Sequence, residues 1–343
     1  MSFNLKNPKQ IIQVMLTGGV GSRLWPISRK STPKQYLDIF DNKSLFQMTI
    51  ERNTFISDSI YVVGNIDNRH LSEKILCNEH YTDITEATPR NTAAAIAFAA
   101  FEASANSILL VTPSDHIIKG KKAYNEALTQ AIKLAEEGNI VTFGIRPTKP
   151  ETGYGYIEFN GTDVISFREK PNIETAKEFI KSEKFLWNSG MFCFKANVFL
   201  DELKNLSPEI YHSSKKAFME SQNSSTDNKR ILDFDLSMEI PSISVDYAVM
   251  ERSEKIKVVP TEFEWSDLGS FEAVYDYLKS TGHPVDENGN MVLGSEKPMY
   301  FLGMKNTIFV STPDANLILN KENSQEVKEL YSKLEIENPQ LLE

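Results

Sequence analysis

Short apolar runs alternate with stretches of helical spacing through the first part of the chain. The runs, which are typical of buried strands, lie at residues 11–16, 59–63, 108–111 and 140–144, with a weaker one at 81–85. The helical or strongly helix-forming stretches lie at residues 44–56, 69–76, 92–103 and 123–137. This rhythm predicts a doubly wound α/β domain, in which ligands bind at the carboxyl ends of the strands.

The pattern changes in the second part of the chain. Apolar runs on either side of Asn160-Gly161 predict a β-hairpin, and we expect a doubly wound mixed sheet. Further elements are predicted as a strand at 187–194, helices to about 223, a polar mobile loop at 221–228, a helix at 244–252 and an extended segment at 256–263.

Short strands and turns follow Thr281-Gly282-His283-Pro284, and a helix is predicted at 324–334. We therefore expect a catalytic domain over residues 1–281 and a small C-terminal β-rich domain with a terminal helix over 282–343. No internal repeat is convincing.

The composition is that of a globular protein with a large core. The chain has 343 residues, of which 41% are hydrophobic and 24% are charged, and no low-complexity tract indicates disorder. Its net charge of −10 argues against nucleic acid as the main partner, because a phosphate backbone binds to basic surfaces. A nucleotide needs only local cations and is compatible with this charge.

Cysteine content and hydropathy predict a cytoplasmic protein. Cys77 and Cys193 lie far apart in contexts that favour neither a disulfide framework nor a metal site, which indicates a reducing compartment. The first ten residues are polar and lack the apolar region of a signal peptide. No apolar run reaches the length of a membrane span, so no membrane partner is expected.

Three glycines follow the first predicted strand. Gly18, Gly19 and Gly21 allow a tight turn and let backbone N–H groups approach a ligand closely. Arg23 and Lys34 follow, and cations beside exposed N–H donors suit a phosphorylated ligand. The glycines alone are better explained as an ordinary turn, and only together with the two cations do they favour a phosphate site.

Two commoner glycine motifs are excluded. A P-loop requires Gly-Lys followed by Ser or Thr, and no such sequence follows this strand. A dinucleotide fingerprint requires a third glycine at the position that Leu24 occupies.

Two aspartates follow predicted strands. Asp115 comes just after the 108–111 run, and Asp267 follows the 256–263 segment. If both strands belong to one sheet, the carboxylates converge at its edge and offer hard oxygen ligands to Mg²⁺. Capping of a loop or helix explains each residue about equally well, and for Asp267 that helix would begin near Ser270.

Two further features of the sequence are weaker evidence for a catalytic or metal site. His116 stands beside Asp115, but no serine or cysteine nucleophile motif accompanies it, and a structural imidazole is the better interpretation. Asp233-Phe234-Asp235 has the D-x-D form that some metal-dependent glycosyltransferases use, but it lies in polar, helical sequence, and chance explains it better.

Several motifs, in order along the chain, resemble those of the sugar-1-phosphate nucleotidyltransferases. They are residues 14–37, 86–93, 167–171, 187–191, 245–251, 310–315 and 325–328. Within that family, Leu24-Trp25-Pro26 is similar to the mannose-1-phosphate guanylyltransferase branch. The resemblance implies a Rossmann-like nucleotidyltransferase fold. It also implies that the chain stops before the phosphomannose isomerase domain of bifunctional members would begin.

The same resemblance implies the residues of three sites. It assigns the nucleotide to Leu16, Gly18, Gly19, Gly21, Ser22, Arg23, Glu86, Arg90, Asn91, Thr92, Ser114 and Asp115. It assigns the sugar to Gly153, Tyr154, Glu169, Lys170, Asn188 and Asp246. It assigns Mg²⁺ to Asp115 and Asp267, and catalysis to these two residues with Arg23, Lys34 and Lys170.

Some of these residues also have ordinary structural explanations. Asn91 or Thr92 is expected to cap the 92–103 helix in any interpretation. For Asp246, the N-cap of the 244–252 helix is the stronger alternative. For Glu86, the resemblance implies contacts with the guanine N1–H and amino group, although Ala87 stands where the family usually has proline.

The implied reaction converts GTP and mannose 1-phosphate into GDP-mannose and pyrophosphate, and a homodimer is the expected assembly. One alternative is the same transfer with another sugar or base, giving GDP-heptose or a UDP- or dTDP-hexose. Another is a non-catalytic regulatory paralogue, against which the retained charged residues argue. A metal-dependent glycosyltransferase is a third, disfavoured by the D-x-D context.

Overall fold

The computed structural model of the chain describes residues 10–38, 43–77, 79–224 and 228–343. The strands are β1 Ile11–Leu16, β2 Ser59–Asn65, β3 Tyr81–Glu86, β4 Ile108–Pro113, β5 Ile117–Lys119, β6 Ile140–Ile145, β7 Tyr156–Asn160, β8 Asp163–Arg168, β9 Phe185–Lys195, β10 Gln222–Ser224, β11 Lys229–Ile231, β12 Ile256–Pro260, β13 Glu264–Ser266, β14 Met291–Leu293, β15 Thr307–Ser311 and β16 Asn316–Asn320. The predicted mixed α/β fold with a small β-rich C-terminal part is confirmed.

Helices connect most of these strands. They are α1 Leu45–Asn53, α2 Arg69–Ile75, α3 Asn91–Glu102, α4 Lys121–Glu136, α5 Ile173–Ser182, α6 Ala196–Leu206, α7 Pro208–Met219, α8 Phe234–Met238, α9 Phe271–Ser280 and α10 Val327–Glu337. Short 3₁₀ turns lie at Ser22–Leu24, Lys34–Tyr36, Ile66–Asn68, Lys321–Glu326 and Pro339–Leu342, and a π-helical turn lies at Asp246–Met250. Among the described residues, no helix has the length and apolar character needed to cross a bilayer.

The chain folds into two compact units. The first comprises the described parts of residues 1–18, 51–113 and 118–265, and the second those of 19–50, 114–117 and 266–343. Each unit is therefore built from segments that are far apart in sequence. The division into residues 1–281 and 282–343 stays a prediction.

The first unit contains an eleven-stranded mixed sheet within its described residues. The strand order is β10-β11-β3-β2-β1-β4-β9-β6-β12-β8-β7, and β7 also pairs with β9. β1 lies parallel to both β2 and β4, whereas β9 runs antiparallel to β4 and β6. This order places the ends of β1 and β4, from which the candidate site residues follow, at the same edge of the sheet.

Both faces of this sheet are covered, which explains the near-continuous apolar runs of its central strands. Successive residues of β4 face opposite cores: Leu109 and Val111 pack beside the alanine-rich α3, whereas Ile108 and Leu110 pack beside Tyr124 of α4. All residues from 93 to 100 of α3 are buried, so this helix is apolar on every side.

The predicted hairpin is confirmed, but the predicted loop at 221–228 is wrong at its start. β7 and β8 pair antiparallel, with Asn160 opposite Asp163 and a turn at Gly161-Thr162, in which Gly161 has φ +61°. β10 occupies Gln222–Ser224 of the polar stretch and pairs antiparallel with β11, which follows the stretch and joins β3 in parallel register. The backbone hydrogen bonds of the sheet thus override the polar composition. Residues 225–227 of that stretch lie outside the described residues.

The second unit has a smaller core. β14 and β15 pair in parallel, and β16 adds to β15 antiparallel. Ile308 and Val310 of β15 share one apolar cluster with Leu24, Phe271 and the α10 residues Val327, Tyr331 and Leu334. This cluster fixes α10 against the turn at Ser22–Leu24.

Gly144 of β6 provides a test of core packing in the first unit. A Cβ at this position would lie 2.5 Å from Leu186 Cδ1 and 2.8 Å from Val258 Cγ2. We expect Gly144→Ala to lower the free energy of unfolding by about 1–3 kcal/mol, because the strands must move apart. Ile165→Val, which changes an exposed side chain of β8 by one methylene, should change it by less than about 0.5 kcal/mol. Urea unfolding measures both, and equal effects would contradict the packing argument.

Candidate functional site

A cavity of about 360 Å³ lies in the second unit. Its lining comprises Gly21, Ser22, Arg23, Leu24, Lys34, Asp115, His116, Asp267, Leu268, Gly269 and Lys328. Six of these residues were predicted as nucleotide, metal or catalytic residues: Gly21, Ser22, Arg23, Lys34, Asp115 and Asp267. Lys328 was not, because the 325–328 motif in which it stands was matched to the family without a role for any of its residues.

The glycine turn is shaped by two different constraints. Gly21 has φ +75°, and a Cβ there would lie 2.8 Å from Lys34 Cβ and 3.0 Å from Ser28 Oγ, so both conformation and packing require glycine. Gly18 and Gly19 differ, because a Cβ at either would meet no atom of the described residues within 4 Å. Their open surroundings leave room for a ligand to approach the backbone.

Lys34 is the central side chain of the cavity. Pro33 holds the extended conformation that starts the turn at Lys34–Tyr36. The Lys34 side chain is only 7% exposed, and its Nζ lies 2.9 Å from Asp115 Oδ2. Nζ also donates to the main-chain oxygen of Asp267 at 2.6 Å. Two acceptors from distant segments therefore satisfy one buried ammonium.

Asp115 is held as a carboxylate. Burial raises the pKa of its carboxyl. The charges of Lys34 and His116 and the hydrogen bond from Lys34 together lower the pKa by more than burial raises it, so the pKa lies below its ordinary value. His116 Nε2 is 3.5 Å from Asp115 Oδ1. Asp115 precedes strand β5 and begins no helix, so the helix-cap explanation does not apply to it.

Asp267 does not cap a helix either. Its Oδ1 accepts a hydrogen bond from the Gly269 N–H at 3.0 Å. The N-cap of α9 is Ser270, whose Oγ accepts from the Ala273 N–H. The Asp267 carboxylate thus shapes a short turn at the cavity wall, as the loop-capping alternative predicted, and only the helix-capping alternative is wrong.

The cavity fits a cation that takes part of its ligands from a substrate. Two carboxylates, Asp115 and Asp267, line it, and among the described residues no group of three or more His, Cys, Asp or Glu side chains is arranged to hold a metal. Mg²⁺ is commonly bound by one or two carboxylates together with waters and substrate phosphates. This donor set suits such an ion better than a metal held entirely by protein.

The other predicted nucleotide residues lie in the first unit or just after β4. Leu16 ends β1, where it pairs with Val63 and Pro113 of the neighbouring strands. Gly18 follows in the same unit. Ser114 is buried next to Asp115.

Glu86 lies at the end of β3 and is 4% exposed. Burial raises the pKa of its carboxyl, and a hydrogen bond from the Arg90 backbone lowers it by a smaller amount, so that the pKa is about 7. Among the described residues its Oε1 has no hydrogen-bond partner. A buried carboxylate oxygen without a donor is costly, and a ligand with N–H groups would supply one.

The predicted caps of α3 are wrong. The cap position is Arg90, without a side-chain cap, and its guanidinium donates to the Ile240 carbonyl at 2.6 Å. Asn91 has φ +68°, and its side chain accepts from the N–H of its neighbour Thr92. Thr92 Oγ1 accepts from the Val245 N–H at 2.8 Å. For Thr92, a tertiary partner has replaced the local capping that the sequence predicted.

The predicted sugar residues Asn188 and Asp246 contact one another in the first unit. Asn188 Nδ2 donates to Asp246 Oδ1 at 3.0 Å. Asn188 Oδ1 accepts from Thr142 Oγ1 at 2.9 Å, which fixes the orientation of its amide. Asp246 is the first residue of the π-helical turn, whose N-cap is Val245, so the capping explanation of Asp246 is wrong.

Glu169 and Lys170 lie at the end of β8. Lys170 Nζ is 3.1 Å from Glu169 Oε1, and the Glu169 N–H donates to Glu251 Oε1 at 3.0 Å. A Cβ on Gly155 would lie 2.5 Å from Glu169 Oε2, so Gly155, which the sequence did not single out, makes room for that carboxylate.

Gly153 and Tyr154 complete the predicted sugar set. The Gly153 N–H donates to Glu151 Oε1 at 3.1 Å. The Tyr154 ring packs edge-on against Trp187 and Trp265, with centroids 5.2 and 5.3 Å apart. The predicted sugar residues of the first unit thus combine carboxylates and an amide with an aromatic side chain, and apolar surfaces with a few placed polar groups are typical of small-molecule sites.

Known protein families and individual proteins match most of the chain. A family model described as nucleotidyl transferase matches residues 12–282, and one described as a MannoseP isomerase/GMP-like beta-helix domain matches residues 284–334. A mannose-1-phosphate guanylyltransferase of Salmonella muenchen is 39% identical over 96% of this chain and 74% of its own length.

Two solved structures are also similar. One, described as a mannose-1-phosphate geranyltransferase from Thermus thermophilus, is 28% identical, with a TM-score of 0.81 over 95% of this chain and 99% of its own. The other, described as a mannose-6-phosphate isomerase from Helicobacter pylori, is 39% identical, with a TM-score of 0.68 over 75% of this chain and 99% of its own.

Asp246 gives a pH-dependent prediction. The pKa of its carboxyl is raised from 3.8 to about 6, mainly by burial and to a smaller extent by the nearby charge of Glu169. The folded state therefore binds the proton more tightly than the unfolded chain, and ionising Asp246 destabilises the fold as the pH rises from about 4 to 6. We expect Asp246→Asn to gain up to about 2 kcal/mol of unfolding free energy relative to the unmodified protein over this interval.

The comparison is made by urea unfolding at a series of pH values. Asp201→Asn, which changes an exposed carboxylate on α6, is the control and should track the unmodified protein. A difference between Asp246→Asn and the unmodified protein that does not change with pH would contradict the raised pKa.

Proposed function

Because the chain belongs to the nucleotidyl transferase family, in the mannose-1-phosphate guanylyltransferase branch, we propose that it makes GDP-mannose and pyrophosphate from GTP and mannose 1-phosphate. The observation that carries this proposal is the cavity in which Arg23, Lys34, Asp115 and Asp267 meet beside the glycine turn. Cations, two carboxylates and open backbone N–H groups are what the transfer of a nucleotidyl group requires.

The proposed chemistry is an in-line displacement at phosphorus. A phosphate oxygen of mannose 1-phosphate attacks the α-phosphorus of GTP and forms a new P–O bond. The bond between the α-phosphorus and the bridging oxygen breaks, and pyrophosphate leaves with the electron pair. The attacking oxygen is already ionised at neutral pH, so no general base is needed. Catalysis then depends on positioning two anions and on stabilising the charge of the leaving group.

The residues of the cavity have distinct proposed roles. Arg23 and the backbone N–H groups of residues 18–22 bind the triphosphate. Lys34, held by Asp115 and by the Asp267 carbonyl, faces the reacting phosphates. Family members generally use a divalent metal, and we assign Mg²⁺ to Asp115 and Asp267. The ion would neutralise phosphoryl oxygens as charge develops on them.

The sugar residues are assigned to the first unit. Asn188 and Asp246 are pre-oriented by their mutual hydrogen bond, and Glu169 is held by its contacts at the end of β8. We propose that these three bind hydroxyl groups of mannose, with Gly153 and Tyr154 beside them. Lys170, whose Nζ is already close to a carboxylate, would bind the sugar phosphate.

The base is assigned to the loop after β3. The unpartnered Glu86 Oε1 would accept from the N1–H or the 2-amino group of guanine. Adenine and uracil do not offer that pair of donors. Arg90, Asn91 and Thr92 lie on the same loop and complete the proposed nucleotide site.

Two further expectations belong to this proposal. The described cysteines, Cys77 and Cys193, are both free, which supports the proposed cytoplasmic location. A homodimer stays a prediction.

A pyrophosphate-release assay tests the function. GTP, ATP, UTP and dTTP are each combined with mannose 1-phosphate or glucose 1-phosphate and Mg²⁺. We expect release that is fastest by far with GTP and mannose 1-phosphate, and no release with Mg²⁺ omitted. Preference for another pair would assign a different nucleotide sugar. Conversion of mannose 6-phosphate without nucleotide would instead favour the isomerase activity that describes the Helicobacter pylori structure.

Lys34 is the first residue to test. We expect Lys34→Met to lower kcat by about 10²–10³-fold, because a fixed cation at the reacting phosphates is lost. Lys30→Met, which removes a partly exposed lysine that pairs with Glu343 and does not line the cavity, should leave kcat within about twofold, because an exposed ion pair contributes little. Thermal unfolding of both variants shows whether the fold is intact. Near-normal turnover by a folded Lys34→Met would remove this lysine from the mechanism.

Glu86 gives a prediction about base recognition and pH. Because burial raises the pKa of the Glu86 carboxyl to about 7, the carboxylate form of the free protein is lost as the pH falls through 7. We expect kcat/KM for GTP to fall as this carboxylate form is lost. Glu86→Gln should remove this pH dependence and lower the ratio of kcat/KM for GTP over ATP by about tenfold or more.

The exposed Glu79 supplies the control for that experiment. Glu79→Gln should keep both the pH profile and the base preference of the unmodified protein. If Glu86→Gln also keeps both, Glu86 does not contact the base.

A further inference from the structure

Two cations of the cavity in the second unit have no partner among the described residues. Arg23 is half-buried and Lys328 is exposed, and neither side chain makes a hydrogen bond or ion pair there. Lys34, by contrast, is bound by Asp115 and by the Asp267 carbonyl. Arg23 and Lys328 are therefore the cations that remain available to an anion.

Lys328 owes its place to the packing of α10. Val327, which precedes it, is buried in the same apolar cluster as Leu24, which follows Arg23. Tyr331 and Leu334 extend the buried face of the helix into this cluster. The core therefore sets the two backbone segments side by side, and Lys328 stands at the exposed edge of the helix where it lines the cavity.

Further contacts join the segment after Arg23 to the C-terminal part of the chain. Trp25 Nε1 donates to the Leu341 carbonyl at 2.9 Å, and the Lys30 N–H donates to the Leu342 carbonyl at 2.8 Å. Arg29 Nη2 binds Asp314 Oδ1 at 2.7 Å. These bonds fasten the segment after α10, and the turn between β15 and β16, to residues 25–30, and so support the packing of the helix that carries Lys328.

The charges lining the cavity show what Lys328 adds. Arg23, Lys34 and Lys328 are cationic, and Asp115 and Asp267 are anionic, which leaves one excess positive charge. Without Lys328 the lining would be neutral, leaving His116 aside. A nucleoside triphosphate carries about four negative charges near neutral pH, and a divalent ion offsets only two of them. The lysine thus decides whether the cavity attracts the anion by its own charge.

We propose that Lys328 binds the two terminal phosphates of the nucleoside triphosphate, the part that leaves as pyrophosphate. Most of the triphosphate charge lies on its terminal end, and the cations not neutralised by carboxylates are the ones suited to it. The proposal rests on the proposed function for the identity of the ligand. It makes the C-terminal helix part of the substrate site and not only a cover for the core.

Binding of inorganic pyrophosphate tests the proposal without turnover. Isothermal titration calorimetry with pyrophosphate and Mg²⁺ is carried out on the full chain and on Lys328→Met. We expect the dissociation constant to rise by about tenfold or more, as for loss of a charge-assisted hydrogen bond. Lys328→Arg should retain most of the affinity, because it keeps the charge.

Lys333 provides a matched control on the same helix. It is exposed and does not line the cavity, so Lys333→Met should bind pyrophosphate as the unmodified protein does. GMP, which lacks the terminal phosphates, should bind equally to all variants. Unchanged pyrophosphate affinity in Lys328→Met, or equal weakening of pyrophosphate and GMP binding, would overturn the proposal.

The test of Lys328 and the test of the proposed function can fail independently of each other. If the unmodified protein forms GDP-mannose and Lys328→Met binds pyrophosphate normally, the function stands and the role of Lys328 fails. If pyrophosphate binding depends on Lys328 but no nucleotide sugar forms with any pair tested, the anion site stands and the proposed function fails. Absence of pyrophosphate binding by the unmodified protein would also overturn the role of Lys328.

Discussion

The arrangement of the candidate site depends on one buried ammonium. Lys34 Nζ binds the Asp115 carboxylate and the Asp267 carbonyl, and so joins three segments that are remote in sequence. A buried cation without partners would be costly, and these two acceptors satisfy it. The contact also helps to keep Asp115 ionised, since burial alone would raise the pKa of that carboxyl, and the charges of Lys34 and His116 together with the hydrogen bond from Lys34 bring it below its ordinary value. A carboxylate is thereby maintained in the cavity before any metal binds.

The same lysine constrains the glycine turn. A Cβ on Gly21 would approach Lys34 Cβ to 2.8 Å, so the turn packs against this side chain only as glycine. No comparable neighbour explains Gly18 or Gly19. The turn therefore has one glycine required by the protein itself and two whose small size leaves space beside the backbone, as a bound phosphate would need.

Much of the fold could be predicted from the sequence because its signals are local. Buried parallel strands appear as apolar runs, and Asn160-Gly161 determines its hairpin. The two compact units could not be predicted, because joining residues 114–117 to 19–50 and 266–343 is a property of long-range packing. The capping predictions for Thr92 and Asp246 failed for the same reason. Partners distant in sequence, such as Val245 and Asn188, compete with the local backbone for these side chains.

Backbone strain also falls close to the candidate site residues. Lys170 and Leu268 have φ values of +48° and +44°, a region that side chains with a Cβ rarely adopt. Each follows a carboxylate that we assign to a ligand, Glu169 and Asp267. The Lys170 N–H bonds to the Tyr154 carbonyl, and the Leu268 N–H to Ser266 Oγ, so the surrounding structure holds both turns. Local preference would relax such turns. Strain of this kind is often retained at ligand sites, which agrees with the roles proposed for the carboxylates of Glu169 and Asp267.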